Sequence, residues 1–292
     1  LLKRLHRLFA TRERRPVLPF GRRVLFFLML GTVLLGVQNW VYAGTYSQTS
    51  EQGRVDWTNG MVEVWATGKP PALVQTPAQG RALAESEAEI LARNDLISLL
   101  QSIRIDSKST VKEAIDQQGA RDELVAAIVK DSYVVEKSIS ADGKIRVTVA
   151  IRLNGSFADL VLPKSIMTIK TVEQSPKKEE SFTGLIIDCR GVPLSPALVP
   201  MIVDEDGQVV YGTAYVSRDY ALEEGMAAYA RGLAKARDNP RVGAKPLIVK
   251  GLRTVKARSS DIVISNADAG KIRRAGSNIS FLHRGRVLFV ME

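Results

Sequence analysis

Cysteine occurs once in these 292 residues, at Cys189, and histidine only twice. A single cysteine excludes an internal disulfide, and three soft donors in all fall short of the roughly four Cys/His ligands of a structural zinc site. The short motifs that announce hydrolytic, nucleotide or metal chemistry are absent too: no G-x-S-x-G, no H-E-x-x-H, no phosphate-binding P-loop, no dinucleotide glycine fingerprint. The sequence therefore implies no cofactor and no metal, and it argues against an enzyme. A core is not lacking. With 45% hydrophobic and 25% charged residues the chain is neither disordered nor collagen-like, and it has apolar material for one or two packed domains.

Acidic residues are scarce at both ends. Residues 1–43 hold eight Lys/Arg and one Glu, residues 231–292 hold fourteen Lys/Arg and four acids, and residues 44–230 hold nineteen basic against twenty-six acidic side chains. The net charge of +10 thus hides an acidic middle between basic ends.

Behind the first basic stretch, which ends at Arg23, runs an uncharged segment of fourteen residues, Val24 to Val37, followed by Val41-Tyr42-Ala43. A positive flank, an apolar run and small residues before the break read as a signal peptide cleaved between Ala43 and Gly44. As a helix the run spans about 21 Å, short of the ~30 Å hydrocarbon core. The alternative is an uncleaved anchor over residues 24–43, with Trp40 and Tyr42 at the outer interface and the arginines inside. Both readings place everything after Ala43 outside the cytoplasm, in the periplasm or held at the inner membrane. They exclude nucleic acid as partner of the basic arm, because the apolar run commits that arm to a membrane. No cysteine follows the run, so a lipid-bearing cysteine is absent.

Residues 52–163 read as a first domain. Trp57 to Pro71 alternates as a strand, with Val62, Val64 and Ala66 on one side. Thr76-Pro77-Ala78-Gln79 is a helix start: a capping hydroxyl, a proline with pre-set φ and a capping-box partner. The helix that follows carries Ala84, Ala88, Leu91, Ala92, Asp95, Leu96 and Leu99 at steps of three and four. Arg81, Glu85, Glu89 and Arg93 form a charged stripe, read as a solvated face. Thr110 to Glu113 predicts a second capped helix, broken near Gly119 and resumed through Leu124, Val125, Ile128 and Val129. Tyr133–Ser140, the turn Ala141-Asp142-Gly143 and Lys144–Leu153 predict a hairpin whose second strand turns Ile145, Val147, Val149, Ile151 and Leu153 inward. The expected unit is α+β, one long helix across an antiparallel sheet.

At WTNGMVEVWATGKPP, GRALAESEAEILARNDLISLLQSIRI and VVEKSISADGKIRVTVAIRLNG the chain resembles the bacterial twenty-kilodalton lipoprotein (LPP-type) domain. That domain is similar to the N-terminal domain of the flagellar assembly protein T. The resemblance covers about 110 residues and rests on the order and spacing of elements. It implies an envelope protein that works by contact, and it brings no catalytic residues.

Residues 164–181, polar and period-free with Pro176, read as a linker. Residues 182–292 form a second, mixed α/β unit. Gly184–Cys189 predicts a buried strand, and Met201–Tyr211 a hairpin turning at Asp204-Glu205-Asp206-Gly207. Those acids lack the ligand spacing of a calcium loop. A helix is expected over Asp219–Arg237 from the stripe Leu222, Met226, Tyr229, Leu233 and Ala236, with Gly225 and Gly232 permitting close approach. Two strands near 246–255 and 261–265 follow, then a short helix over Ala269–Gly276 capped by Ser265 or Asn266. Arg286–Glu292, apolar on both alternations, predicts a central strand.

Asp188-Cys189-Arg190 is the most reactive-looking triplet, but no histidine lies nearer than His283, and the thiol reads as a small apolar residue. The densest cations are Lys271, Arg273, Arg274, Arg284 and Arg286, a candidate surface for an anion or an acidic partner. The function expected is that of an exported, non-enzymatic envelope scaffold or assembly module acting through protein contacts. Its partners are envelope proteins, further copies joined head to tail through the acidic middle and basic end, or, in the alternative, an anionic lipid or envelope polyanion bound by the basic C-terminal domain.

Overall fold

A computed structural model describes residues 44–166, 182–274 and 280–292. The expected leader through Ala43, nearly all of the expected linker and the end of the expected helix at 275–276 lie outside the described residues. Gly44–Glu292 forms one compact unit.

The first layer is a five-stranded antiparallel sheet in the order β1-β2-β3-β5-β4, built from β1 (Ser47–Thr49), β2 (Gly53–Asp56), β3 (Met61–Gly68), β4 (Tyr133–Ile139) and β5 (Ile145–Arg152). Across it lies α1 (Pro77–Ser102), which starts as the sequence predicts: the Thr76 side chain accepts a hydrogen bond from the Gln79 amide, with Pro77 in the first turn. The buried residues of α1 are Gly80, Ala84, Ala88, Ala92, Leu96 and Leu100, a strict step of four. At 3.6 residues per turn that strip drifts about 40° per step, so it winds round the helix and follows the twist of the sheet beneath. Leu91, expected on this face, is exposed for the same reason. The charged stripe pairs locally, Glu89 with Arg93 and Glu85 with Lys137 of β4.

Two shorter helices, α2 (Val111–Gln118) and α3 (Arg121–Asp131), close the end of the layer. The Thr110–Glu113 capping box opens α2, and Gly119, at φ 66°, ends it. A single turn and a half, α4 (Ser156–Val161), follows the hairpin and buries Phe157, Ala158 and Val161.

The second layer is a mixed seven-stranded sheet in the order β8-β7-β11-β10-β6-β12-β9. Its strands are β6 (Gly184–Asp188), β7 (Ile202–Val203), β8 (Val209–Tyr211), β9 (Ala228–Arg231), β10 (Pro246–Thr254), β11 (Ile262–Ile264) and β12 (Val287–Met291). The last strand is central, as expected: β12 lies between β6 and β9, parallel to both, and all five of its residues are buried. Its helices are α5 (Arg218–Glu224), α6 (Leu233–Arg237), α7 (Asn266–Arg274) and α8 (Ser280–His283). Ser265 caps α7, its hydroxyl accepting from the Asp268 amide at 3.1 Å.

One expectation is corrected here. Asp219–Arg237 is not a single helix: α5 stops at Glu224, Ala228–Arg231 is the edge strand β9, and α6 resumes at Leu233. The two glycines are the reason. Gly225 caps the end of α5 and Gly232 the start of α6, both at φ 76°, so the chain leaves the helix between them, and the apolar spacing across them coincides with a helical period only by accident. Tyr229 is core all the same, stacked on Phe289 with ring centroids 5.3 Å apart.

The two layers share main-chain hydrogen bonds. Trp57 accepts from the Tyr229 amide (3.3 Å), Arg104 and Ile105 accept from Leu198 and Val199 (3.1 and 2.7 Å), and Leu222 accepts from Gly155 (2.8 Å). Trp57 meets the Tyr229 ring edge-on at 5.5 Å. Residues 44–45, ahead of the expected first domain, also cross over: Thr45 bridges Ala230, and the Gly44 carbonyl accepts from Arg231.

Candidate functional site

At the seam of the two layers opens a cleft of about 530 Å³. It sits at the N-terminal ends of β9 and β12, where Ala228 and Arg286 line it. The first layer contributes Thr58 and Asn59, from the β2–β3 turn. Asp56 shapes that turn by accepting from both amides at 3.0 Å, and the Thr58 hydroxyl is tied to the Tyr229 carbonyl.

The floor of the cleft is organised by Arg241. Its guanidinium donates to three carbonyls: Nε to Gly285 (2.8 Å), Nη1 to Glu224 (2.7 Å) and Nη2 to Gly225 (2.6 Å). The fork thus ties the end of α5 to the loop that feeds β12, a task that suits a planar five-donor group. Asn239 fixes the backbone from which Arg241 projects, accepting from its amide at 2.9 Å. Gly285 is required there: at φ +60°, its missing Cβ would stand 2.7 Å from the Gly225 carbonyl oxygen. Burial pulls the Arg241 guanidinium below the ordinary arginine range, against the opposing pull of Tyr211 and Glu224.

Around this floor stand Arg284, exposed and lying over the Tyr220 ring at 5.8 Å, and Arg286, half-buried. Neither makes an ion pair among the described residues. A second hollow of about 290 Å³ continues the groove past Thr58, Asn59, Glu224 and Arg241 to Arg152, Asn154 and Glu223. Four arginines and two glutamates therefore line the two hollows, which share Thr58, Asn59, Glu224 and Arg241. Such a surface offers charge-assisted donors to a carboxylate or phosphate.

The five cations singled out in the sequence divide into two groups. Arg284 and Arg286 share the cleft. Lys271, Arg273 and Arg274 lie on α7, which packs beside β8 at the opposite edge of the sheet. There Lys271 pairs with Asp268 and Arg273 with Asp204, both at 2.7 Å, so two of the three are already engaged. The acidic turn is spoken for as well: the Asn266 side chain donates to Asp206, the Glu205 amide donates to Asn266 Oδ1, the Asn266 amide donates to Glu205 Oε2, and Asp204 accepts from the Asp206 and Gln208 amides.

Cys189 is buried, and burial, reinforced by the charge of Asp188, pushes its thiol well above the ordinary range. Asp188 itself is held by Arg190, Nε and Nη2 both at 2.8 Å. The triplet is thus a packed thiol beside a self-contained ion pair. Of the expected cleavage pair, Ala43 lies outside the described residues; Gly44 is the first described residue.

Arg241, Tyr220, Asn59 and Asn239 were not legible as site residues. The Asn-Pro-Arg run at 239–241 carries no motif, and Thr-Asn-Gly at 58–60 reads only as the start of a strand.

With this geometry in view, one relationship to known proteins appears. Residues 184–292 match the family described as Treponema pallidum Tp0624, second domain. The match spans the second layer, including Arg241, Arg284 and Arg286, and leaves the lipoprotein-type resemblance of residues 52–163 untouched. No curated protein matches the chain.

Proposed function

We propose that this is an exported, non-enzymatic cell-envelope protein, an assembly module whose arginine-edged groove receives acidic groups of a partner protein. One observation carries the reading. Arg241, locked by three carbonyls, lines the same cleft as Arg284 and Arg286, which make no ion pair among the described residues. Pre-set donors of this kind bind carboxylates without first having to break an internal salt bridge. Export is supported by the basic and apolar run before Gly44. Burial of Cys189 and capture of Asp188 by Arg190 support contact over catalysis at that triplet.

The test is fluorescence polarisation of a labelled hexaglutamate peptide with residues 44–292 at low and high salt. Binding should weaken steeply with salt. Arg284→Ala with Arg286→Ala should weaken it at least about tenfold, since each charge-assisted bond contributes on the order of 1.5–3 kcal/mol. Affinity unchanged in the double variant rejects the reading.

A second reading, self-association, is favoured by the outer edge of β4, where Tyr133, Val135 and Ile139 are 42%, 51% and 64% exposed. An edge strand with apolar side chains is a template for another chain. Sedimentation velocity across salt and concentration tests it, and a monomer throughout rejects it.

A further inference from the structure

The groove occupies one end of the seven-stranded sheet; the other end carries a different surface. From Lys250 to Arg258 the sequence KGLRTVKAR holds four cations and no acid. All four, Lys250, Arg253, Lys256 and Arg258, are exposed and form no ion pair among the described residues. Set among them are two apolar side chains that packing leaves outside, Leu252 at 45% and Val255 at 41% exposure.

The segment holds a defined shape. It is the overhang of β10 and the loop after it, closed by Val255 donating to the Asp261 carbonyl (3.0 Å) and Ser259 donating to Lys256 (3.1 Å). Ser259, Ser260 and Asp261 are buried beneath it, with the Asp261 amide donating to the Ser259 hydroxyl at 3.1 Å. Arg258 is held in the left-handed region, at φ 52°, which a residue with a Cβ seldom adopts. Exposed cations and exposed apolar side chains are thus interspersed along one short hydrogen-bonded segment, the end of β10 and the turn after it.

Lys250 is level with Asp188, and Asp188 with Val290, so the segment stands at the C-terminal end of β6 and β12, opposite the cleft at the N-terminal ends of β9 and β12.

We propose that the Lys250–Arg258 segment, the end of β10 with the turn after it, is a membrane-contact surface, seating Leu252 and Val255 at the headgroup level of an anionic bilayer while the four cations meet its phosphates. Apolar tips ringed by Lys and Arg suit that interface: the cations gain from anionic headgroups, and the aliphatic side chains leave water. This contact is independent of the groove, which then opens away from the bilayer.

The experiment is co-sedimentation of residues 44–292, the compact unit, with phosphatidylglycerol/phosphatidylcholine vesicles and with pure phosphatidylcholine. Binding is expected on the anionic vesicles only. It should fall at least about tenfold in Arg253→Glu with Lys256→Glu, while hexaglutamate binding in the groove stays unchanged. As a second readout, Leu252→Trp should be quenched by brominated lipid, and Ile139→Trp on the first layer should not. Absence of binding to anionic vesicles, or binding that is lost with Arg284→Ala/Arg286→Ala instead, overturns the proposal. So does salt-sensitive self-association without vesicle binding, which would give the segment to the acidic face of a second copy.

Discussion

A Cβ on Gly68 would lie 1.9 Å from the carbonyl oxygen of Ala84 and 2.8 Å from the amide nitrogen of Ala88. The last residue of β3 and the alanine face of α1 are thus in backbone contact, and the contact fixes how close the long helix lies to its sheet. Neither backbone can yield without lifting the helix. Gly68→Ala is expected to destabilise residues 44–292 by on the order of 3 kcal/mol, read as a lowered urea midpoint at unchanged m-value. Ser86→Ala, on the exposed side of the same helix, should leave the midpoint within error.

Arg241 makes a different kind of tie. Losing it strands the carbonyls of Glu224, Gly225 and Gly285 at the junction of α5, β9 and β12. Arg241→Ala should cost on the order of 2 kcal/mol. Arg241→Lys should recover little of it, because one ammonium cannot reproduce a planar fork reaching three acceptors. Thermal denaturation of the two variants beside the parent chain decides this; recovery by lysine would mean that charge, rather than fork geometry, holds the junction.

The elements that were legible in the sequence are those whose signal is local. Thr76 with Pro77, and Thr110 with Glu113, mark their helices because caps act within four residues. Val287–Met291 reads as central because a strand buried on both faces has no polar alternation. Leu222, Met226 and Tyr229 misled because their spacing fits a helix, while Gly225 and Gly232, both at positive φ, break it on either side of β9. The groove lay beyond reach for a related reason. Thr58 and Arg241 are 183 positions apart and meet only once the layers dock, and no pattern along the chain records a meeting of that kind. Arg284 and Arg286 were visible as charge, but their separation from Lys271 and Arg273 depends on strand order.

Cys189 offers a probe of opening. Its sulfur lies 3.3 Å from where a Cβ on Gly251 would be, inside the sheet, and burial disfavours the thiolate that reagents attack. Modification by an aromatic disulfide reagent at pH 8 should be negligible in the native chain and fast in denaturant. Under native conditions its rate should follow the unfolding equilibrium measured independently. Rapid stoichiometric labelling of the folded chain would contradict the buried placement.

The Asp204–Arg273 pair sets an acid response. Burial works against ionisation of Asp204, but Arg273 at 2.7 Å and the Gln208 and Asp206 amides outweigh it and hold the carboxyl below its usual range. A depressed folded-state pKa contributes stability that is present above the unfolded value, near 3.9, and is lost as pH falls through the folded value. Asp204→Asn should therefore be less stable than the parent at pH 7, and the gap should shrink below about pH 4. Urea midpoints at pH 7, 5 and 3 check this. A gap that stays constant over that range would assign the loss to packing rather than charge.

The placement of β12 makes the strongest demand on the chain. Val287, Leu288, Phe289, Val290 and Met291 are all buried between β6 and β9, and the strand supplies the Phe289 ring on which Tyr229 stacks. Each such side chain contributes about 1.5–3 kcal/mol on burial, so the strand's share is on the order of 10 kcal/mol. That is comparable to the whole net stability of a typical domain. Without it β9 loses the strand that joins it to the sheet, β6 gains an open edge, and Trp57 loses the Tyr229 platform against which the first layer docks. A chain ending at Gly285 should therefore lose the second layer: near-UV circular dichroism from its tyrosines should vanish, and a cooperative thermal transition should survive, if anywhere, only in residues 52–163. Retention of a single cooperative melt equal to that of the parent would show that the sheet closes without its central strand, and the topology given for β6, β12 and β9 would have to be abandoned.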